Sequence, residues 1–496
     1  MLTTERTAGV GFRSQRGPTL ISIMLSMSLV AIDSTIIATA VPSVVADLGG
    51  FGQFPWLFSV YLLAQAVSVP IYGKVADLFG RKPVMLFGIG LFLTGSILCS
   101  AAWSMLALII FRALQGLGAG AIQPMSMTIA GDIYTLEERG RIQGYLASVW
   151  AISAVVGPTL GGVFSQYLTW RWIFFVNIPL CVIAAWALIR NFREQVIRKP
   201  HRIDYAGSAL LALGCSLLIL GLLEDGQAWP WISAPGIGVL IAGLALMALF
   251  VRMQRQAAEP VLPSWLLRRR VLIAANLTAV GVGAVLIGLT SYMPTYTQRV
   301  LGTTPLVAGF ALATLTVGWP ITSSLSSKLY LSAGFRLTAL TGSVVAALGS
   351  ALTIGLGTRS SVLLVGVCCF VVGAGLGLVA APVLIAAQNT VGWDERGVVT
   401  AANMFSRSIG SAIGVAFFGA IANASFDSAS PSVPALARAA HHVFIGVTAV
   451  AVLMGLATAL MPRLPHRPDA VTVLSPDAGM GRGGDEPARK GRSDDS

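Results

Sequence analysis

Fourteen apolar runs of about twenty residues or more are strung along this chain, and they leave few folds open to it. They lie at 19–42, 53–73, 83–102, 105–130, 141–167, 171–190, 205–224, 233–251, 271–293, 305–326, 337–356, 361–386, 398–422 and 441–462. About 20 apolar residues span the hydrocarbon of a bilayer as a helix, and only helices or closed barrels satisfy their backbone polar groups there. A length of 496 residues would suggest about three or four soluble domains, but composition overrides that reading. Charged residues make up 11% and mean hydropathy is +0.78, whereas soluble domains carry about 25% charged residues. The expected class is an all-α polytopic membrane protein.

The net charge of +12 does not point to nucleic acid, because the basic residues fall in short loops between the apolar runs. With the N-terminus placed inside, the cytoplasmic segments hold 27 of the 33 Lys and Arg. Four lie in external loops (Arg171, Arg299, Arg359, Arg438) and two within spans (Arg112, Arg407). That is the bias of the positive-inside rule, and it places both termini in the cytoplasm. The first apolar run is too long for a signal-peptide core and is expected to be retained. The five cysteines, Cys99, Cys181, Cys215, Cys368 and Cys369, lie in apolar runs without metal-ligand spacing and read as packing thiols.

The chain repeats itself. "GKVADLFGRK" (73–82) after the second run is echoed by "SKLYLSAGFR" (327–336) after the tenth. "ERG" opens the fifth run at 138–140 and the thirteenth at 395–397. Gly116, Gly118 and Gly120 correspond to Gly373, Gly375 and Gly377, and Gly157 and Gly162 to Gly414 and Gly419. The common offset implies two six-helix halves with two extra central helices between them. Duplicated halves are a transporter signature, with substrate bound between them near the midplane. The expected organisation is a cytoplasmic N-terminus (1–18), a first half (19–190), a central segment with the two extra helices (191–270), a second half (271–462) and a disordered tail (463–496).

One acid, Asp33, stands deep in a span, roughly 13 Å from the outer end of its helix at 1.5 Å per residue. Arg112 lies at a similar depth in the fourth run, roughly 11 Å in. An Asp at a helix centre costs about 2.5–3.5 kcal/mol to insert, which a mere packing contact made by Asn or Ser would avoid. Asp33 is therefore read as the proton carrier, with Arg112 tuning it. Gln115, Ala119 and Gln123 follow Arg112 on one helical stripe expected to face a cavity. The substrate cavity is expected to include Gln115, Gln123, Trp150, Tyr292 and Asn403. Arg407, aligned with Trp150, lies nearer the cytoplasmic end of its helix and can snorkel. In "SAVVGPTLGG" (153–162), Pro158 with Gly157, Gly161 and Gly162 predicts a bend or a close helix crossing. Asp77, Arg81 and Asp132 end neighbouring helices at the cytoplasmic face. With Gly73, Gly80 and Lys82 they form a candidate latch for the inside-closed state.

These residues resemble the major facilitator superfamily, in particular its fourteen-helix drug:proton antiporters. "GKVADLFGRK" is similar to the superfamily's loop motif, carrying Gly73, Asp77, Gly80, Arg81 and Lys82. "RALQGLGAG" resembles the motif whose Arg, here Arg112, is implicated in proton transfer, and "GPTLGG" resembles the antiporter motif of the fifth helix. "IDSTIIATAVP", with Asp33, Thr35 and Pro42, and "WRWIFFVNIP" (170–179) also resemble this group. Ala38 departs from a frequent Asn, and Leu331 replaces the loop acid in the second copy. The resemblance implies a proton-driven exporter of lipophilic, often cationic, compounds working by alternating access. It would be a monomer in a bacterial cytoplasmic membrane, partnered by protons, small lipophilic substrates and lipid, with no cofactor and no nucleic acid. A dedicated exporter of one metabolite, lipid, siderophore or antibiotic would share every motif. A membrane enzyme needs clustered acid–base groups, whereas His201, His441, His442 and His466 are scattered over loops and tail. The glycines of "GAGLGLVA" (373–380) sit in an apolar run, not in a phosphate-binding loop.

Overall fold

The structure is a computed structural model that describes residues 11–49, 56–194, 204–224, 233–257, 260, 263–423 and 433–463. The expected disordered tail beyond residue 463, residues 424–432, His201 and His466 lie outside the described residues. So do residues 195–203 of the central segment and the side chains of Ala38, Pro42 and Pro158.

Among the described residues all regular structure is helical. The first half comprises α1 (Gly17–Leu48), α2 (Trp56–Phe79), α3 (Arg81–Ser100), α4 (Met105–Ile133), α5 (Leu136–Tyr167), the short α6 (Trp172–Phe175) and α7 (Asn177–Asn191). Next come α8 (Tyr205–Glu224) and α9 (Ala234–Gln254). The second half comprises α10 (Arg270–Arg299), α11 (Pro305–Ala333), α12 (Phe335–Ile354), α13 (Val362–Asn389), α14 (Arg396–Asn423) and α15 (Val433–Ala459). Among the described residues 13 helices, with α6 and α7 counted as one, are long and apolar enough to span a membrane. α8 is apolar over a shorter stretch, Ala206–Leu218.

Local sequence sets the helix ends. Ser104, Ser233, Thr304 and Ser361 each accept a hydrogen bond from the backbone N–H three residues on, satisfying an otherwise orphan donor. Thr135 and Glu138 close a reciprocal capping box at the start of α5. The sharp turns α2–α3 and α11–α12 each need a left-handed residue, and both have glycine: Gly80 at φ 100° and Gly334 at φ 83°. This conformational demand accounts for Gly80 in the loop motif and for its match in the second copy.

The duplication seen in sequence recurs in packing. α1 packs on α4, α5 and α7, α4 on α2 and α3, and α3 on α7. In the second half, α10 packs on α13, α14 and α15, α13 on α11 and α12, and α12 on α15. The halves meet along two equivalent seams, α2 against α14 and α5 against α11. α8 covers the first seam, sharing an apolar cluster with Val67 and Val69 of α2, Phe250 of α9, and Ala401, Met404 and Phe405 of α14 through Leu211 and Cys215. Side chains such as Leu106, Ile110 and Leu363 point outward and are exposed, as lipid-facing surface requires.

The alternate glycines of α4 let three helices approach. A Cβ on Gly116 would meet Tyr61 O of α2 at 2.4 Å, and one on Gly118 would meet Phe92 N of α3 at 2.5 Å. On α13 the same register places Gly373 against α11 and Gly375 against α12. Small residues at such crossings maximise van der Waals contact where lipid supplies no hydrophobic drive. Gly118→Ala is expected to destabilise the first half by about 1–3 kcal/mol through overpacking. Thermal unfolding in detergent checks this, and an unchanged midpoint would show that α3 can yield at no cost.

Candidate functional site

Asp33 and Arg112, brought together from α1 and α4, form an ion pair in the first half. Arg112 Nη1 donates to Asp33 Oδ2 at 2.6 Å, and each side chain is only 1% exposed. Gln115 Nε2 donates to Asp33 Oδ1 at 2.9 Å and to Ser96 Oγ at 2.9 Å, while its own Oε1 accepts from Arg112 at 2.8 Å. Asn177, at the start of α7, donates from Nδ2 to Asp33 Oδ1 at 3.1 Å. The guanidinium lies 4.2 Å from the centre of the Tyr61 ring and donates through Nε to Leu57 O. Burying either charge alone would cost several kcal/mol, so the pair persists only because its partners meet most of its hydrogen-bonding capacity. One neighbour is left over: Asn177 Oδ1 is buried without a hydrogen-bond partner among the described residues.

The acid is buried away from the wall of the central cavity. A cavity of about 350 Å³ lies between the halves, lined from α1, α2, α4 and α5 and from α10, α11, α13 and α14. α1 contributes Ser34 to it, the residue beside Asp33. Gln123, Trp150 and Asn403 line it, whereas Gln115 is fully buried in the Asp33 cluster. Ala119, between the two glutamines, is also fully buried. Helical phase explains the divergence. Eight residues at 100° each leave Gln123 rotated about 80° from Gln115 and about 12 Å along the axis. Tyr292 is not among the lining residues; its hydroxyl lies near Gly419, 3.8 Å from where a Cβ would be. Arg407, expected to snorkel, instead lines the cavity.

The candidate antiporter motif sits where α5 crosses α1. Thr35 Oγ1 donates to Ser153 O at 2.9 Å, and a Cβ on Gly157 would fall 2.0 Å from Thr35 Oγ1. Gly162 has open space around it, so only Gly157 of this pair is fixed by close approach. α5 runs helical through Pro158 and Gly161.

At the arginine-rich end, Asp77, Arg81 and Asp132 form the expected cluster. Arg81, with no exposed side chain, bonds Asp77 Oδ1 at 2.9 Å and Asp132 Oδ2 at 3.1 Å. The cluster then reaches across to the second half. Asp77 accepts from the backbone N–H of Gly397 (2.9 Å) and Val398 (2.8 Å), so it caps α14. Arg396 pairs with Asp132 at 3.0 Å. Arg81 donates to Trp393 O and stacks 3.8 Å from the centre of that indole. Glu194 accepts from the backbone N–H of Arg81 and Lys82, capping α3, while Lys82 Nζ donates to Ile189 O. A Cβ on Gly73 would meet Ala401 Cβ at 2.3 Å, so Gly73 permits the α2–α14 seam.

The opposite seam answers with a neutral group. The second loop copy has Leu331 where the first has Asp77, and Tyr330 takes over the bonding. Its hydroxyl donates to Leu136 O and accepts from Gly140 N at 3.2 Å, at the N-terminus of α5. Sequence reading missed Ser96, Asn177, Glu194, Tyr330, Trp393 and Arg396. Asn177 had a local signal in "WRWIFFVNIP", just after the break between α6 and α7, as Tyr330 had in "SKLYLSAGFR" and Arg396 in the repeated "ERG".

Comparison with known proteins agrees with this architecture. Residues 23–415 match the family model described as Major Facilitator Superfamily. The Multidrug transporter protein MdtP of Bacillus subtilis (strain 168) is 33% identical over 414 residues, covering 84% of this chain and 76% of the relative. Multidrug resistance protein 3 of the same organism is 32% identical over 419 residues, covering 84% and 81%. The crystal structure of the human organic anion transporter MFSD10 (TETRAN) superposes with a TM-score of 0.64 at 15% identity, over 90% of this chain and 99% of that one, a likeness of fold. With two matched six-helix halves and a central cavity between them, this multi-pass membrane transporter belongs to the major facilitator superfamily.

Proposed function

We propose that this transporter is a fourteen-helix proton-coupled antiporter that exports lipophilic compounds from the cytoplasm by alternating access. The observation that carries the reading is the buried Asp33–Arg112 pair, held by two of the helices that wall the cavity. α1 presents Asp33 to the pair and Ser34 to the cavity, and α4 presents Arg112 and Gln115 to the one and Gln123 to the other. A movement of either helix that admits substrate therefore changes the acid's surroundings. When Asp33 takes up a proton, Arg112 loses its counter-charge, and Asn177 can turn its amide to accept from the new carboxyl O–H. The pair thus has two bonded states, one ionised and one protonated, each suited to a different helix packing.

The arginine-rich end is assigned to the cytoplasm by the positive-inside rule, and its contacts between the halves close that side. The driving force suffices: one proton entering down about 100 mV and one pH unit supplies about 3.7 kcal/mol, a gradient of several hundred-fold for a neutral compound. Everted vesicles test the reading. With the lumen acidified they are expected to accumulate the neutral dye N-phenyl-1-naphthylamine, and a protonophore is expected to release it. Uptake insensitive to the protonophore would refute proton coupling. Uptake of unrelated dyes as well would favour a multidrug exporter over a dedicated one.

A further inference from the structure

The cavity contains a single formal charge, and it is positive. Of the residues that line it, Arg407 on α14 is the only one that is ionised at neutral pH. Among the described residues no carboxylate pairs with its guanidinium. Asp33, in the opposite half, is buried and committed to Arg112, Gln115 and Asn177. Asp77 and Asp132 are committed to the cluster at the arginine-rich end. A second polar group of the cavity is also unsatisfied: Ser323 Oγ on α11 is buried, 1% exposed, without a hydrogen-bond partner among the described residues. Gln123 has its Oε1 engaged by Gln65, which leaves its own amide N–H groups for a ligand. The wall between these polar points is apolar and aromatic, with Trp150 on one half and Trp319 on the other.

A cation without a counter-ion in a cavity of largely apolar lining is costly, and an anion arriving with the substrate removes that cost. The same charge repels a cationic ligand, in a medium where repulsion is screened far less than in water. We infer that the substrate class is a lipophilic organic anion: a flat apolar body seated between Trp150 and Trp319, with one sulfonate, carboxylate or phosphate held by Arg407 and by hydroxyl and amide donors such as Ser323 and Gln123. This deepens the export reading and rests on it for direction of movement, but the binding preference itself needs neither a proton gradient nor transport. Charge arithmetic adds a consequence. One proton in and one anion out move two positive charges inward, so the membrane potential acts twice on each exchange.

Two dyes with one aryl skeleton make the test: the sulfonate 1-anilinonaphthalene-8-sulfonate and neutral N-phenyl-1-naphthylamine. Equilibrium binding to the purified full chain in neutral-lipid nanodiscs, corrected for empty discs, is expected to favour the sulfonate at least ten-fold. Arg407→Gln is expected to weaken the sulfonate about thirty-fold or more and the neutral dye less than three-fold, with Arg407→Lys retaining most sulfonate binding. Equal affinity of the wild-type protein for both dyes overturns the inference without needing any variant, as does an equal loss for both in Arg407→Gln. Displacement of the sulfonate by phosphatidylglycerol would mark a membrane lipid as the natural source of the anion, and no displacement a free amphiphile. If everted vesicles accumulate neither the sulfonate nor the neutral dye while this preference holds, the export reading falls and the anion site stands.

Discussion

Asp33→Asn is expected to abolish proton-driven accumulation in everted vesicles, lowering the gradient-dependent rate by at least about a hundred-fold, while the protein still inserts and folds. The substitution keeps size and shape, and an amide oxygen at position 33 can still accept from Arg112 and Gln115. What disappears is the titratable charge, so no step of the cycle is tied to a proton. A hundred-fold loss corresponds to about 2.7 kcal/mol, modest beside the several kcal/mol that a buried carboxylate–guanidinium pair represents. Binding of the neutral dye is expected to survive, because Asp33 is not on the cavity wall. Retained uphill transport in Asp33→Asn would end the proposed role. Loss of both binding and transport would instead point to a structural failure, which the unfolding midpoint would reveal.

Asp77→Asn is the second substitution with a large expected effect, and it acts on conformation. Asp77 bonds Arg81 within its half and accepts from two backbone N–H groups at the start of α14 in the other. Anions at a helix N-terminus gain from both the orphan N–H groups and the helix dipole. An Asn keeps one acceptor and loses the charge, leaving buried Arg81 with one carboxylate, Asp132, instead of two. The state closed at the arginine-rich end is expected to lose about 3 kcal/mol, shifting the ratio of the two access states by more than a hundred-fold. Labelling of a cysteine introduced at Ser327, which packs against Gly140 across the other seam, reports opening of that end. An unchanged labelling rate would mean that Tyr330 and the glycine-lined seams hold the end shut without the acid.

The two seams explain why the loop motif is degenerate in its second copy. Both need a group that crosses between halves to the N-terminus of a helix. On one seam Asp77 meets α14 as a charged cap, and on the other Tyr330 meets α5 with a hydroxyl. From sequence the second copy reads as decayed, because the aligned position, Leu331, has lost its acid. In space the residue before it performs the equivalent bonding, a substitution of chemistry invisible to alignment by position.

The amino-acid sequence by itself determined the helices, their duplication and the pairing candidates. These follow from properties that travel along one chain: apolar length, charge in loops, caps, left-handed glycines at 80 and 334, and an offset common to many positions. Asp33 and Arg112 could be matched in depth because rise per residue is fixed. Only the tertiary structure decided which way each side chain faces. It placed Gln115 against the acid and Gln123 in the cavity, sealed the carboxylate behind α1, and brought Arg407 to the cavity wall. It also joined Asp77, Arg81 and Asp132 to Trp393, Arg396 and Gly397. Each of these depends on the rotation of one helix against another. That rotation is set by glycine-to-backbone contacts between segments up to hundreds of residues apart, which no local pattern encodes.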